Sequence, residues 1–571
     1  MKRPRNRWVQ APRPDEGAAH ALSKTLALPL PLARLIVGRG YGNEMSARRF
    51  LRPTLDHLHE PHLLKDLPEA VSRLKHAIAT AEPILVHGDY DVDGMCSTAL
   101  MTRTIRALGG HAVPFIPDRR TDGYDLGPAG VAMARRVGAG LVLACDCGTS
   151  AVAAAEALHE AGIDLIVADH HLPGGPLPKA VAVLNPRRAD DQSPDRDLAA
   201  VGVAFKLASA LTHALGGNEN IVLNSLDLVA MATIADVAPL RGENRVFVRR
   251  GLPLLAQSKS AGVRALIRSA GLEGKEITAG RVGFILAPRL NALGRLDRAI
   301  LGVELLLAER DDEAMAIARV CEEKNRDRQE LDRRILDETV GRVERLDLDE
   351  TWGIVLSDTS WHPGVIGIVA SRLVELTARP VFLIAVQDGI GKGSGRSIPP
   401  FDLHAALGTC GDLLTRHGGH RAAAGLTVDA GRIGAFSERF NAVARARLTA
   451  DDLVRELRLD LELPLAEATE ELERLLRHLA PFGMGNPGPL FMARDARVAA
   501  AATRIGKDGV KLLIDAPHGR LEAVGWGLAD RVGELCAGAT VDLAYRLERN
   551  EYGGRNSLQL GLVDFMRTNE P

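Results

Sequence analysis

The sequence predicts an α/β protein of several domains: a parallel-sheet domain and a smaller α/β domain joined by a long helix, followed by a small all-β barrel. Three observations predict it. Strand-like and helix-like runs alternate over residues 80–240; a charged stretch with few helix breakers occupies much of 303–346; and short alternating runs parted by Gly-rich turns follow residue 455. At 571 residues the chain is too long for one ordinary core.

Taken in order, residues 1–50 read as an extended arm and short helices. EPILVHGD then gives way to STALMTRTIRALG, AVPFIPD to GPAGVAMARRVG, LVLACDCG to TSAVAAAEALHEAG, and DLIVADHH to a loop and AVAVLNP. Such alternation predicts a parallel sheet covered on both faces, which we bound at 51–250. A helical linker at 251–349 contains CEEKNRDRQELDRRILDETVGRVERL, polar almost all round and therefore read as a bridge between two bodies. A second α/β domain at 350–450 opens with WGIVLSD and carries GKGSGRS and GGHRAAAG. GVKLLI, LEAVGW, VDLAYRL and SLQLGLVDF, with GKDG and YGG turns, give an antiparallel barrel at 455–565.

Lysine plus arginine (71) nearly balances aspartate plus glutamate (73), which excludes a globally basic nucleic-acid coat but not a locally basic channel. The six cysteines form no CxxC pair, arguing against structural zinc and disulfide staples and for a reducing compartment. ALPLPLARLIVG, broken by two prolines and an arginine, is a poor signal peptide, and no run approaches the roughly 20 apolar residues that span a bilayer. These features point to the cytoplasm.

Three polar clusters each end an apolar run: His87/Asp89/Asp91/Asp93, Asp146, and Asp169/His170/His171. The carboxyl ends of parallel strands face one crevice, so clusters distant in sequence converge there. A fourth acid, Asp236, follows a predicted helix. Carboxylates at alternate positions would repel one another unless cations offset them. Oxygen-rich ligation with one or two imidazoles favours Mg2+ or Mn2+, and a pair of ions sharing a carboxylate suits attack on phosphorus. Singly, each aspartate reads as a cap or turn residue; the three clusters together do not. Cys145 and Cys147 flank Asp146 and read as buried structural thiols. GKGSGRS is no Walker A motif, since Val386 and Gly393 occupy positions that need Gly and Ser/Thr. It reads either as a phosphate cradle using Lys392, Ser394, Arg396 and Ser397 or as a flexible hairpin. Arg119 and Arg120 follow a strand on the crevice side.

HGDYDVDG, DCG, ADHH, TIADVAPL, PRLNALGRLD, GKGSGRS, GGHRAAAG and PFGMGNPGPLF, in this order over residues 35–565, resemble the DHH phosphoesterase superfamily and its single-strand-specific DNA exonucleases. The resemblance implies a DHH domain, a DHH-associated domain and a C-terminal OB-fold entered through PFGMGNPGPLF, together enclosing the strand in a ring. It implies 5′→3′ hydrolysis of single-stranded DNA to 5′-mononucleotides with two Mg2+ or Mn2+ ions. Carried over by position, one ion is held by His87, Asp91 and Asp146, and the other by Asp93, Asp146, His170 and Asp236. Asp89 orients a ligand or the attacking water, and His171 serves the scissile phosphate or leaving group. Arg119, Ser394 and Arg396 grip the 5′-phosphate, while His420 lines the opposite wall. One departure is visible: where the family usually has a second glycine after Gly123-Tyr124, this chain has Asp125.

Arg497, Arg504, Lys507, Lys511, Arg546, Arg549 and Arg555, with Trp526, Tyr545 and Tyr552, suit a basic groove for single strands. A phosphodiesterase for short oligonucleotides or cyclic dinucleotides, or a pyrophosphatase, would share the chemistry but not need the bridging helix and barrel. A non-catalytic single-strand-binding scaffold would not need the intact acid and histidine set. The resemblance implies single-strand-binding protein and a RecQ-type helicase as partners, and one chain supplying a whole enclosure suggests a monomer.

Overall fold

The computed structural model describes residues 5–119, 121–123, 125–550 and 556–568. The chain forms two compact units, one of residues 48–327 and 479–488, the other of 1–47, 328–478 and 489–571.

In the first unit β1 (Pro83–Gly88), β2 (His111–Phe115), β3 (Leu141–Cys145), β4 (Asp164–Ala168) and β5 (Ala182–Leu184) form one sheet in the order β2-β1-β3-β4-β5. All its pairings are parallel. The strands are apolar runs because both faces are covered. Ile84, Val86, Leu141 and Leu143 join a core with the helix Val92–Ala107. Leu85 and Val142 join a second core with the helices Pro128–Arg136 and Val152–Glu160. The winding therefore changes face between β1 and β3, and such a switch point opens a crevice at the carboxyl ends of those strands.

Behind the sheet, the helices Ala200–Ala214 and Gly242–Ala256 are locked by a buried ion pair, Lys206 Nζ to Glu243 Oε1 at 2.7 Å. The same atoms take up the backbone of His59: Lys206 donates to its carbonyl at 2.8 Å, and Glu243 accepts its N–H at 2.8 Å. PFGMGNPGPLF leads into the first barrel strand at Phe491, and its residues up to Gly488 group by contacts with this unit. They are held there by Leu240 N–H to the Met484 carbonyl (2.8 Å) and by Arg245 to the Leu479 and Ala480 carbonyls (both 3.0 Å).

In the second unit β6 (Ile354–Asp358), β7 (Val381–Gln387), β8 (Ile390–Arg396), β9 (Arg416–Gly419) and β10 (Ala423–Asp429) form a sheet ordered β9-β10-β8-β7-β6. GKGSGR is thus the central strand β8 rather than a flexible hairpin. Its glycines serve close packing: a Cβ at Gly395 would lie 2.4 Å from the Phe382 ring, and one at Gly393 2.7 Å from Leu426. The barrel strands are β11 (Phe491–Ile505), β12 (Gly509–Ala516), β13 (Gly519–Trp526), β14 (Thr540–Asn550) and β15 (Ser557–Arg567). They pair β11-β12-β13-β15-β14 and close through β14 with β11. The long helix runs Asp311–Val343, residues to Asp327 in the first unit and the rest in the second.

The Lys206–Glu243 pair yields a prediction. Lys206→Ala strands a buried carboxylate and should destabilise the first unit by about 3–5 kcal/mol, read from denaturant unfolding. The Lys206→Met/Glu243→Leu double variant should recover most of that loss, and a double variant as unstable as the single would contradict it.

Candidate metal centre

The acidic loop after β1 is a tight reversal. A Cβ at Gly94 would lie 2.4 Å from the Asp89 carbonyl, so only glycine lets the chain fold back on itself. Asp91, in extended backbone, caps the helix Val92–Ala107, its Oδ1 accepting from Asp93 N–H (2.8 Å) and Gly94 N–H (3.2 Å). Asp93 in turn accepts from Ala200 N–H (2.8 Å) and Val201 N–H (2.9 Å) at the start of another helix. Asn291 accepts from Val92 N–H at 3.1 Å and holds the loop from a third side. Asp146 follows β3 in left-handed backbone (φ 61°), its N–H bonded to the Ala168 carbonyl at 2.9 Å. Asp236 ends the helix Leu226–Ala235.

These elements bring candidate ligand atoms within 4.8 Å of one another in three overlapping groups: Asp89/Asp91/Asp146, Asp146/His170/His171 and Asp93/His170/Asp236. Asp146 and His170 each belong to two of them. His87 falls in none, although its Nε2 is fully buried without a hydrogen-bond partner among the described residues. Its Nδ1 lies 3.4 Å from Cys147 Sγ, so this thiol touches a site residue rather than only filling the core. Asp89 Oδ1 and Asp146 Oδ1 are likewise buried and accept no hydrogen bond among the described residues. Unsatisfied buried oxygens beside imidazoles are costly without a cation. The donor set, oxygen-rich with histidine, fits Mg2+ or Mn2+.

The electrostatics agree. Burial and the neighbouring carboxylates push Asp93 and Asp236 up to about 7. Burial and the surrounding acids likewise drive Asp89 and Asp146 well above the carboxylate range. Burial lowers His87 to about 4 and also lowers His170, keeping both neutral as ligation requires. His170 Nδ1 lies 3.2 Å from the Leu198 carbonyl, and its Nε2 3.4 Å from Asp146 Oδ1. Burial opposes charging His171, but the hydrogen bond and charge of Asp169 raise it to about 9. Asp169 itself is held well below its ordinary value: burial works against that, and the bond from His171 at 2.7 Å outweighs it.

Asp169 and Asn291 were given no role from sequence. Asp169 also accepts the backbone N–H of His170 (2.7 Å), His171 (3.2 Å) and Thr149 (3.1 Å), tying the DHH segment to the Asp146 turn. Their places inside the DHH and PRLNALGRLD motifs were the available signal. Arg119 lies over the Tyr90 ring at 4.7 Å; Arg120 lies outside the described residues.

Ser394, Arg396 and His420 lie in the second unit. Arg396 Nη1 donates to Ser394 Oγ at 3.1 Å and to the Gly395 carbonyl at 2.8 Å. Both side chains face Gly367, in the first turn of the helix Ile366–Thr377, where a Cβ would lie 2.8 Å from Ser394 Oγ. His420 is exposed, its N–H bonded to the Ala423 carbonyl at 2.8 Å.

On the barrel, Arg497, Arg504, Lys507 and Trp526 are exposed. Lys511 is engaged by Glu522 at 2.5 Å, and Arg549 by Glu473 at 3.1 Å. Trp526, Arg455, Arg531 and Arg546 border a cleft of about 430 Å³ whose acids include Glu375, Glu548 and Asp564. Tyr545 is not part of a groove: it is fully buried against Phe491, its hydroxyl donating to the Leu463 carbonyl at 2.8 Å. Its ring lies on the inward face with Val541 and Leu543, four and two residues before it on the same strand. Arg555 and Tyr552 lie outside the described residues.

Comparison with known proteins fixes the class first. The DHH family N-terminal domain matches residues 83–233, the DHHA1 domain 351–446 and the RecJ OB domain 459–564, which marks a phosphoesterase of the DHH class. The chain is 36% identical over 556 residues to the single-stranded-DNA-specific exonuclease RecJ of Dickeya dadantii (strain 3937), covering 94% of this chain and 95% of that one. It is 36% identical over 562 residues to the protein of that name from Bacillus subtilis (strain 168), covering 98% and 70%. The crystal structure of RecJ in complex with Mn2+ from Thermus thermophilus superposes with a TM-score of 0.85 at 34% identity, covering 99% of this chain and 80% of that chain. The chain belongs to the RecJ family of single-stranded-DNA-specific exonucleases.

The raised carboxyls make a pH prediction. Unfolded aspartates titrate near 3.9, whereas Asp93 and Asp236 do so at about 7 when folded. Between those values the folded state holds the extra protons, so the metal-free protein should lose stability as pH rises from about 4 to 7. Thermal unfolding in chelator should show a falling transition from pH 5 to 7 that Asp236→Asn flattens and Mn2+ reverses. A transition that rises over this window, equally with and without chelator, would contradict it.

Proposed function

We propose that this chain is a 5′→3′ exonuclease that hydrolyses single-stranded DNA to 5′-mononucleotides in recombination and repair. The observation that carries it is the meeting at Asp146 of one carboxylate–histidine group and one all-carboxylate group, with a second carboxylate–histidine group joined through His170 and with unsatisfied buried oxygens, at the switch point of the sheet. His87, Asp91 and Asp146 would hold one divalent ion, and Asp93, Asp146, His170 and Asp236 the other. When bound, the pair activates a water and offsets the charge that builds on the phosphoryl oxygens.

The rest falls to the chain. Asp89, with an unpartnered Oδ1 beside Asp91 and Asp146, orients the attacking water or a ligand. His171, charged near neutral pH through Asp169, presents Nε2–H to the scissile phosphate or the departing oxygen. Arg119 reaches the 5′-terminal phosphate from the loop after β2. In the second unit Ser394 and Arg396, on one face of β8 beside the first turn of the helix Ile366–Thr377, offer a grip for phosphate, and His420 contacts the strand. The exposed barrel residues Arg497, Arg504, Lys507 and Trp526 supply backbone charge and a stacking surface for the strand. The family resemblance extends the proposal to single-strand-binding protein and a RecQ-type helicase as partners, and to a monomer acting in the cytoplasm. No helix among the described residues is long and apolar enough to cross a membrane.

Single-stranded DNA labelled separately at each end and digested with Mn2+ tests the polarity. The 5′ label should leave as mononucleotide early while the 3′-labelled strand shortens step by step. Hydrolysis of dinucleotides or pyrophosphate without cleavage of long strands would overturn the substrate. Asp146→Ala should lower turnover by about 10³-fold or more while much DNA binding survives. Arg396→Ala should cut the preference for 5′-phosphate over 5′-hydroxyl ends by about 10-fold, and an unchanged ratio would remove that role.

A further inference from the structure

Asp125 stands where backbone geometry favours glycine, at φ 75°, and its carboxylate has a specific target. Oδ1 accepts the N–H of Gly148 at 2.6 Å and that of Leu126 at 2.8 Å. Gly148 is buried and lies two residues beyond Asp146, in a turn where Asp146 (φ 61°) and Gly148 (φ 101°) are both left-handed. Such a turn cannot satisfy its own N–H groups by a regular ladder. Three external acceptors hold it instead: the Ala168 carbonyl on Asp146 N–H, Asp125 on Gly148 N–H, and Asp169 on Thr149 N–H.

The segment around Asp125 also reaches the other side of the site. The helix Pro128–Arg136 begins three residues later, and a Cβ at its Gly130 would lie 2.8 Å from the His87 ring. The preceding loop carries Arg119, over Tyr90. One aspartate in a strained conformation thus joins the Arg119 loop, the support of His87 and the turn of Asp146.

We propose that Asp125 is a positioning residue for Asp146, fixing the turn that presents its carboxylate to the metal ions. The proposal rests on the reading of Asp146 as a metal ligand. Removing a group that orients a ligand typically weakens metal affinity by about 10–100-fold. Asp125→Gly relieves the left-handed strain and deletes the hydrogen bond, so backbone strain and positioning pull in opposite directions in this variant. Asp125→Asn keeps an acceptor oxygen and tests the bond without the charge.

The experiment is Mn2+ binding to the full chain by calorimetry, with kcat and KM for single-stranded DNA measured alongside. Asp125→Gly should bind Mn2+ about 10-fold more weakly and lose kcat at saturating DNA, with KM within about twofold of the parent. Asp125→Asn should stay within about threefold in both, and the metal-free Asp125→Gly protein should unfold at or above the parent temperature. Parental Mn2+ affinity in Asp125→Gly would overturn the proposal, as would equal losses in Gly and Asn. Asp146→Ala serves as control: if it keeps full Mn2+ binding, the metal reading itself fails, whatever Asp125 does.

Discussion

Burying several like charges at one point is the constraint on which the metal-bearing unit turns. Asp89, Asp93 and Asp146 are almost wholly shielded from water, and Asp93, Asp91 and Asp89 all raise the cost of ionising Asp146. Two outcomes are open to such a cluster: protonation or cations. The histidines select the second. His87 and His170 are held neutral and cannot neutralise the acids, while His170 keeps its Nε2 3.4 Å from Asp146 Oδ1. The charged imidazole, His171, is already committed at Nδ1 to Asp169. The cluster therefore has an appetite for positive charge that the protein does not satisfy from within.

The fold concentrates these acids through topology rather than through one long motif. Strand order β2-β1-β3-β4-β5 sets the ends of β1, β3 and β4 side by side, although they lie far apart in sequence. Helix N-termini then share the load. Asp91 caps one helix and Asp93 accepts from the first turn of another, so backbone N–H dipoles offset part of the repulsion before any ion arrives.

That much was legible because it depends on local pattern. Parallel strands buried on both faces must be apolar runs, and polar residues that end them must face one crevice. Legibility fails where a side chain bonds to distant backbone. Asp125 to Gly148 and Asn291 to Val92 leave no periodic trace in the sequence. It fails again where residue type is read ahead of pattern. Val541, Leu543 and Tyr545 alternate on the buried face, so period two already turns Tyr545 inward, whereas residue type alone suggests a stacking surface; the break in alternation is Ala544, buried where a register shift follows it. GKGSGR misleads for a third reason: glycine in a strand can mark close packing as well as mobility, and only the neighbouring Phe382 and Leu426 decide which.

The same contacts decide which residues report cleanly on the chemistry. Asp91 and Asp93 are helix-terminal hydrogen-bond acceptors as well as candidate ligands, so replacing either removes a cap together with a charge. Asp236 closes a helix and sits among groups whose protonation shifts with it. Asp146 differs: its Oδ1 accepts no hydrogen bond among the described residues, and its turn is held through backbone N–H groups that survive truncation of the side chain. Removing that carboxylate relieves repulsion among buried acids while deleting the side chain common to two ligand groups. The folded, metal-free state should gain stability by the very change that abolishes function, the signature of a residue retained for its site and at some cost to its fold.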